Sequence, residues 1–154
     1  MIRDIAALLA ANPVFAGLGK DRLEFIAGCG WNVQYRPGAV IYRFGEPADR
    51  FLMLREGTVS VEVQPPTGPT RRIETMGKGE VLGWSWLFPP HVWQFDTRAL
   101  TVVRATAFDG ACIRDKCDQD PSLGYELMKR FAHVVADRLQ ATRLRVLDLY
   151  GAEV

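Results

Sequence analysis

The stretch YRPGAVIYRFGEPADRFLMLREGTVSV, Tyr35 to Val61, decides the fold class, because its apolar residues recur every second position between evenly spaced turn signals. Pro37-Gly38 turns the chain into Ala39-Val40-Ile41-Tyr42. Gly45-Glu46-Pro47 breaks it again before the apolar run Phe51 to Leu54. After Glu56-Gly57, Val59, Val61 and Val63 alternate with Thr58, Ser60 and Glu62. Upstream, Trp31, Val33 and Tyr35 alternate with Asn32, Gln34 and Arg36. Short strands punctuated by glycine and proline predict an antiparallel sandwich or barrel.

Outward from this stretch the pattern continues and then changes period. Pro65-Pro66-Thr67-Gly68-Pro69 forms a hairpin tip, Arg71 to Met76 returns, and His91 to Leu100 and Thr101 to Phe108 read as further strands. On the N-terminal side, Ile2 to Ala11 carries apolar residues at helical spacing and stops at Asn12-Pro13. A second short helix is predicted from about Lys20 to Ala27, ending in Gly28-Cys29-Gly30. On the C-terminal side, a short helix starts near Asp109 and runs through Cys117, and Asp120-Pro121-Ser122 opens a long one reaching about Tyr150. Leu127, Phe131, Val135, Leu139, Thr142, Val146 and Leu149 form a stripe along it. At about 1.5 Å per residue this helix is roughly 40 Å long, more than one domain of this size covers, so part of the stripe is expected to meet another chain.

Bulk properties narrow the classes. The 154 residues suit one domain, 1–154, divided as N-terminal helices 1–30, strands 31–109 and C-terminal helices 110–150. With 19 Lys+Arg against 18 Asp+Glu, the net charge of +1 advertises neither a nucleic-acid nor an anionic-membrane partner. The N-terminal apolar run is too short and interrupted for a signal peptide, and no segment approaches a membrane span, so a cytoplasmic protein is expected. Cys29, Cys112 and Cys117 form no CxxC pair, and their odd number without an export signal predicts reduced thiols rather than a disulfide framework. A metal held by Cys112, Cys117 and His91 or His133 would match no familiar ligand spacing, and none is expected. Two remote histidines also cannot supply the clustered ligands of a metal-dependent oxygenase, so no enzyme activity is read from this chain. His91, beside two prolines, reads as a loop residue, and Glu46 and Asp49 as parts of a turn.

The chemistry concentrates in GEVLGWSWLFPPHVWQFDTRAL, Gly79 to Leu100, with three tryptophans, two phenylalanines and two consecutive prolines in 22 residues. Together with NPVFAGLGKDRLEFIA, the Tyr35–Val61 stretch, GKGEVLG, DPSLGYEL and RLQATR, it resembles the cyclic-nucleotide-binding domain of the cAMP receptor protein and its Crp/Fnr relatives over nearly the whole chain. The resemblance implies an α+β fold: an antiparallel β-roll (double-stranded β-helix or jelly roll) flanked by short N-terminal helices and a long C-terminal dimerisation helix. It also implies a ligand phosphate seated on a short helix reading Gly-Glu-Leu-Ala, with Arg-Ser or Arg-Thr about nine residues on. A helix N-terminus and a bidentate arginine suit an anion, and the glutamate accepts from a ribose hydroxyl.

This chain keeps the glycine as Gly83 but places Trp84 where the glutamate belongs, followed by Ser85 and Trp86, and places Trp93 and Gln94 where the arginine and serine or threonine belong. Strand alternation puts Trp93, Phe95, Thr97 and Ala99 on the inner face and turns Arg98 outward, beside Asp96 in a solvated pair; the alternative register, which a bulge near Pro89-Pro90 would produce, makes Arg98 the phosphate ligand. Losing one partner of a buried charge pair costs roughly 2–5 kcal/mol, so cAMP or cGMP binding is not expected at ordinary affinity.

Two readings of the aromatics stand side by side. They fill the volume a nucleotide would occupy, or they line a site for a flatter, less charged molecule. Gly83, Trp84, Ser85, Trp86, Trp93, Gln94, Thr142 and Arg143 are the candidate ligand residues, Ser85 as a donor to an anion, Thr142 and Arg143 because RLQATR resembles the part of the long helix that touches the base. A cyclic nucleotide or another small planar molecule is the candidate ligand. The function that follows is a sensor module, homodimeric through its long helix, passing a small-molecule signal to another signalling protein; the alternative is a ligand-free dimeric scaffold with an aromatic-filled pocket. Transcriptional relatives append a helix-turn-helix after the long helix, whereas this sequence stops at Val154, so no direct DNA binding is expected.

Overall fold

A computed structural model describes residues 2–151; Met1 and residues 152–154, the extreme ends of the expected domain, lie outside the described residues. Two short helices, α1 (Ile2–Ala11) and α2 (Lys20–Ala27), open the chain at the bounds their apolar spacing predicts. Eight strands follow: β1 (Gly30–Tyr35), β2 (Val40–Tyr42), β3 (Arg50–Glu56), β4 (Val59–Val63), β5 (Arg71–Met76), β6 (Val81–Leu82), β7 (Asp96–Ala99) and β8 (Val103–Asp109). A single 3₁₀ turn, η1 (Ser85–Leu87), sits between β6 and β7. The chain ends in α3 (Gly110–Gln119) and the 31-residue α4 (Pro121–Gly151). Asp109 caps α3, accepting from the Cys112 backbone N–H at 2.8 Å.

The strands form two antiparallel four-stranded sheets, ordered β1-β8-β3-β6 and β2-β7-β4-β5, closing the β-roll between the flanking helices. Two apolar clusters divide the interior. A floor, where the roll meets the helices, gathers Phe15, Phe51, Trp86, Phe108, Leu123, Leu127 and Phe131. A roof, inside the roll, gathers Tyr42, Leu52, Leu54, Val59, Val61, Leu82, Trp93 and Ala105. The first half of α4 therefore buries its stripe on the chain's own body. Beyond Leu139, which is 50% exposed, Leu144, Val146, Leu147, Leu149 and Tyr150 all face outward. Among the described residues no helix is long and apolar enough to cross a membrane.

Two expectations are corrected. Cys29 and Cys112 are joined in a disulfide, with Cα atoms 5.7 Å apart, and only Cys117 is free. Cysteine spacing along the chain could not show this, because the pairing is made by the sheet. The β1–β8 register sets Gly30 opposite Phe108, the Asp109 N–H donates to Cys29 O at 3.0 Å, and residue 112 lies one helical turn further on. The strand predicted from His91 to Leu100 is also shorter, beginning only at Asp96. Residues 91–93 instead pair with the β2–β3 loop: Ala48 N–H donates to His91 O at 2.7 Å, Trp93 N–H to Glu46 O at 3.0 Å, and Gly45 N–H to Trp93 O at 2.9 Å.

Candidate functional site

The site grows from the end of β6. Gly83 there has φ of 98°, a left-handed backbone that favours glycine, and it also lacks room for a side chain. A Cβ at this position would stand 2.9 Å from Cζ3 and 3.0 Å from Cη2 of Trp93, and 3.2 Å from Cε2 of Tyr42. The Trp93 indole therefore rests directly against the glycine. The Tyr42 ring stacks on it at 3.7 Å between centroids and 12° between planes. Two backbone hydrogen bonds with the β2–β3 loop are made by Trp93 itself and a third by His91, and together they fix this segment with the Trp93 ring inward, 5% exposed. Tyr42 donates its hydroxyl to Leu82 O at 3.3 Å, and burial pushes its pKa well above the usual tyrosine value, keeping that proton in place.

Alternation resolves the register as predicted at Thr97, Ala99 and Arg98. Thr97 is buried, its hydroxyl accepting from the Tyr42 N–H at 3.0 Å, and Ala99 is buried beside it. Arg98 faces out, but the expected pair with Asp96 does not form. Its guanidinium donates to Gly38 O at 3.0 Å and lies 3.4 Å from Glu62, on the neighbouring strand β4, while Asp96 accepts from the Phe44 N–H at 2.7 Å. Asp96 and Arg98 share the outer face of β7, two residues apart, but each takes its partner from a neighbouring segment rather than from the other.

The candidate residues separate into three groups. Gly83, Trp84, Ser85, Trp93 and Gln94 line one cavity of about 40 Å³ inside the roll, with Tyr42, Glu74 and Phe95. Gln94 is turned to solvent, donating to Val92 O at 3.3 Å. Trp86 points the other way, fully buried in the floor against Phe51 at 5.0 Å and Phe131 at 5.3 Å, and is not part of the cavity wall. Its register within η1 explains this, since a 3₁₀ turn places Ser85 and Trp86 on different sides. Thr142 lines a separate open groove of about 640 Å³ between β5 and α4, its hydroxyl donating to Arg138 O at 2.9 Å; Arg143 is exposed and outside that lining.

The cavity and the groove share Glu74, Trp84 and Phe95 as a common wall. Ligand pockets usually measure about 300–1,000 Å³, so the inner cavity is too small for a nucleotide, whereas the groove has room for a small molecule.

One residue that sequence reasoning missed ties the groove together. Arg138 of α4 donates to Glu74 at 3.1 Å and to Glu80, and Glu80 also accepts from the Gly77 N–H at 2.7 Å. Burial acts to lower the Arg138 pKa, but Glu80 and Glu74 outweigh it and raise the value, so the bridge is held by a permanent cation. Arg145 adds a hydrogen bond to Ile73 O and lies 3.9 Å from Glu74. RLQATR and GKGEVLG both carry the signal, but their pairing depends on how the helix lies across the roll.

With this geometry in place, comparison with known proteins assigns the family. A family model described as the cyclic nucleotide-binding domain matches residues 32–120. The chain is similar to a CRP-like cAMP-activated global transcriptional regulator of Mycobacterium tuberculosis, 24% identical across 96% of this chain and 64% of that protein. It is also similar to glutaminase 1 of Bradyrhizobium diazoefficiens, 31% identical over 90% of this chain but only 22% of the enzyme. Among solved structures, a cyclic nucleotide-binding protein of Geobacter metallireducens superposes with a TM-score of 0.79 at 27% identity, covering 87% of this chain and 97% of that one. The chain thus spans less than two thirds of the length of either curated relative. A roll of two four-stranded sheets, a short helix after a left-handed glycine and a long C-terminal helix make this chain a member of the cyclic nucleotide-binding domain family.

Proposed function

We propose that this chain is a regulatory module whose nucleotide-phosphate position has been closed by aromatic packing and whose ligand, a flat and weakly charged molecule, sits in the groove between Trp84, Phe95 and α4. The observation that carries the reading is the Trp93 ring lying against Gly83, at the position where the family resemblance calls for an arginine over a helix start. An indole donates one hydrogen bond and carries no charge, so it cannot replace a bidentate guanidinium. Trp84 and Phe95 offer ring faces for stacking, and Leu139, Thr142 and Val146 close the opposite wall.

We read residues 1–154 as one unit and α4 as the seam of a homodimer, since six large apolar side chains between Leu139 and Tyr150 are exposed in the isolated chain. A ligand in the groove would shift α4 against the roll and bias the arrangement of the two copies, a change another signalling protein can read. We read the role as regulatory, in keeping with the CRP-like transcriptional regulator to which the chain is similar. The 40 Å³ cavity supports a second reading, a ligand-free scaffold in which the aromatics are core alone.

A thermal-shift screen separates the two. A ligand at 100 times its dissociation constant adds about 2.7 kcal/mol to stability. The sensor reading expects such a shift from at least one planar aromatic metabolite and none from cAMP or cGMP; the scaffold reading expects none from any compound, and a shift from cAMP contradicts both.

A further inference from the structure

The Cys29–Cys112 bridge joins the residue before β1 to the first turn of α3, and α3 in turn packs directly on the short helix of the candidate site. A Cβ on Gly110, the first residue of α3, would stand 3.0 Å from Cβ of Trp86 and 3.2 Å from Asp49 O. Arg114, one turn further, donates to the Trp86 carbonyl, and the Gly110 N–H donates to Asp49 O at 2.8 Å. The start of α3 is therefore in contact with η1 and tethered covalently to the roll. We propose that the Cys29–Cys112 pair is a reversible redox modification site, reduced by a dithiol, that sets how firmly α3 holds the Trp86-bearing short helix.

The surroundings of the two sulfurs suit exchange. Cys29 is 5% exposed, whereas Cys112 is only half-buried, so the Cys112 end of the bridge is the more open to an incoming thiolate. Attack there forms a mixed disulfide and breaks the existing S–S bond, with the electron pair leaving on the Cys29 sulfur, which then takes a proton from water. The second thiol of the reductant displaces Cys112 from the mixed disulfide, so the protein gains two electrons and the dithiol is oxidised to a disulfide. The charges around the bridge act in both directions. Lys116 projects its ammonium across the Phe25 ring, 3.7 Å from the centroid, and within 3.8 Å of where a Cβ of Gly28 would be, next to Cys29. Cys112 lies in the first turn of α3, where the backbone N–H groups favour negative charge, although the capping Asp109 carboxylate acts in opposition. Cys117 differs: burial raises its thiol pKa, with Asp118 and Asp120 adding to the effect, so it stays protonated and outside the couple.

The test uses the full-length protein equilibrated in buffers of graded reduced-to-oxidised dithiothreitol or glutathione, with thiol trapping and peptide mass spectrometry. Cys29 and Cys112 are expected to become labelled together as one two-electron couple, with Cys117 trapped throughout. Amide exchange is expected to rise on reduction in residues 85–88 and 110–116 and to stay unchanged in β3 and β4. Lys116→Gln is expected to slow reduction severalfold without moving the exchange pattern of the oxidised protein. Three trappable thiols under fully oxidising conditions would overturn the proposal. So would a bridge that resists excess dithiothreitol in the folded protein, or a reduction that leaves exchange in residues 85–88 and 110–116 as it was.

Discussion

The floor and the roof of this protein are both built on tryptophan, yet the two indoles belong to different kinds of structure. In the floor, Trp86 is enclosed by Phe51, Phe131 and, through Phe51, Phe108 and Phe15, with ring centroids 5.0–6.3 Å apart in stacked and edge-on arrangements. Helices and roll converge there, and the cluster is what joins them. In the roof, Trp93 has one aromatic partner, Tyr42, and one bare glycine beneath it, with a small cavity at its edge. Close packing of the first kind specifies a fold, whereas the second occupies a place that the family resemblance reserves for ligand chemistry. The same side chain is thus structural at one site and, in the function proposed above, sets specificity at the other.

The sharpest way to break that distinction is a pair of truncations. Phe51→Ala, at the centre of the floor, is expected to cost about 3–5 kcal/mol and to lower Tm by roughly 10 °C or more, read by chemical and thermal denaturation. A loss below about 1 kcal/mol would mean that the floor does not join helices to roll. Next in size, replacing both bridged cysteines by serine removes a cross-link across 83 residues and is expected to cost about 2–4 kcal/mol, without changing secondary structure by circular dichroism. Arg138→Gln cuts the double tether from α4 to Glu74 and Glu80, with an expected loss of about 1–2 kcal/mol that shrinks in high salt. Smallest is Trp93→Phe, expected to cost less than about 1.5 kcal/mol because an aromatic ring still covers Gly83. A cost equal to that of Phe51→Ala would make the roof as structural as the floor.

Much of this was legible from the sequence because it depends on local period and local chemistry. The apolar spacing and the Asn12-Pro13 stop place α1 at Ile2–Ala11, and alternation turns Thr97 and Ala99 inward and Arg98 outward, whereas Trp93 is turned inward by the loop pairing that replaces the predicted strand there. What escaped depends on register and helix placement. The partner of Arg98 is Glu62 on another strand, the partner of Cys29 lies across a sheet ladder, and Arg138 meets Glu74 and Glu80 only because α4 crosses the roll at β5. Trp86, two residues from Trp84, belongs by sequence to the same aromatic stretch, but the 3₁₀ turn sends it to the opposite core. Periodicity reports which face a side chain takes and is silent about what waits there.

The central claim is that an indole at residue 93 stands in the phosphate position, and isothermal titration of the wild-type protein with cAMP tests it most directly. The account predicts no saturable heat up to about 1 mM, a binding free energy weaker than about 4 kcal/mol. Micromolar binding that is lost on adding inorganic salt, or that survives intact in Trp93→Phe, would show that the phosphate is held without the missing arginine and would contradict it.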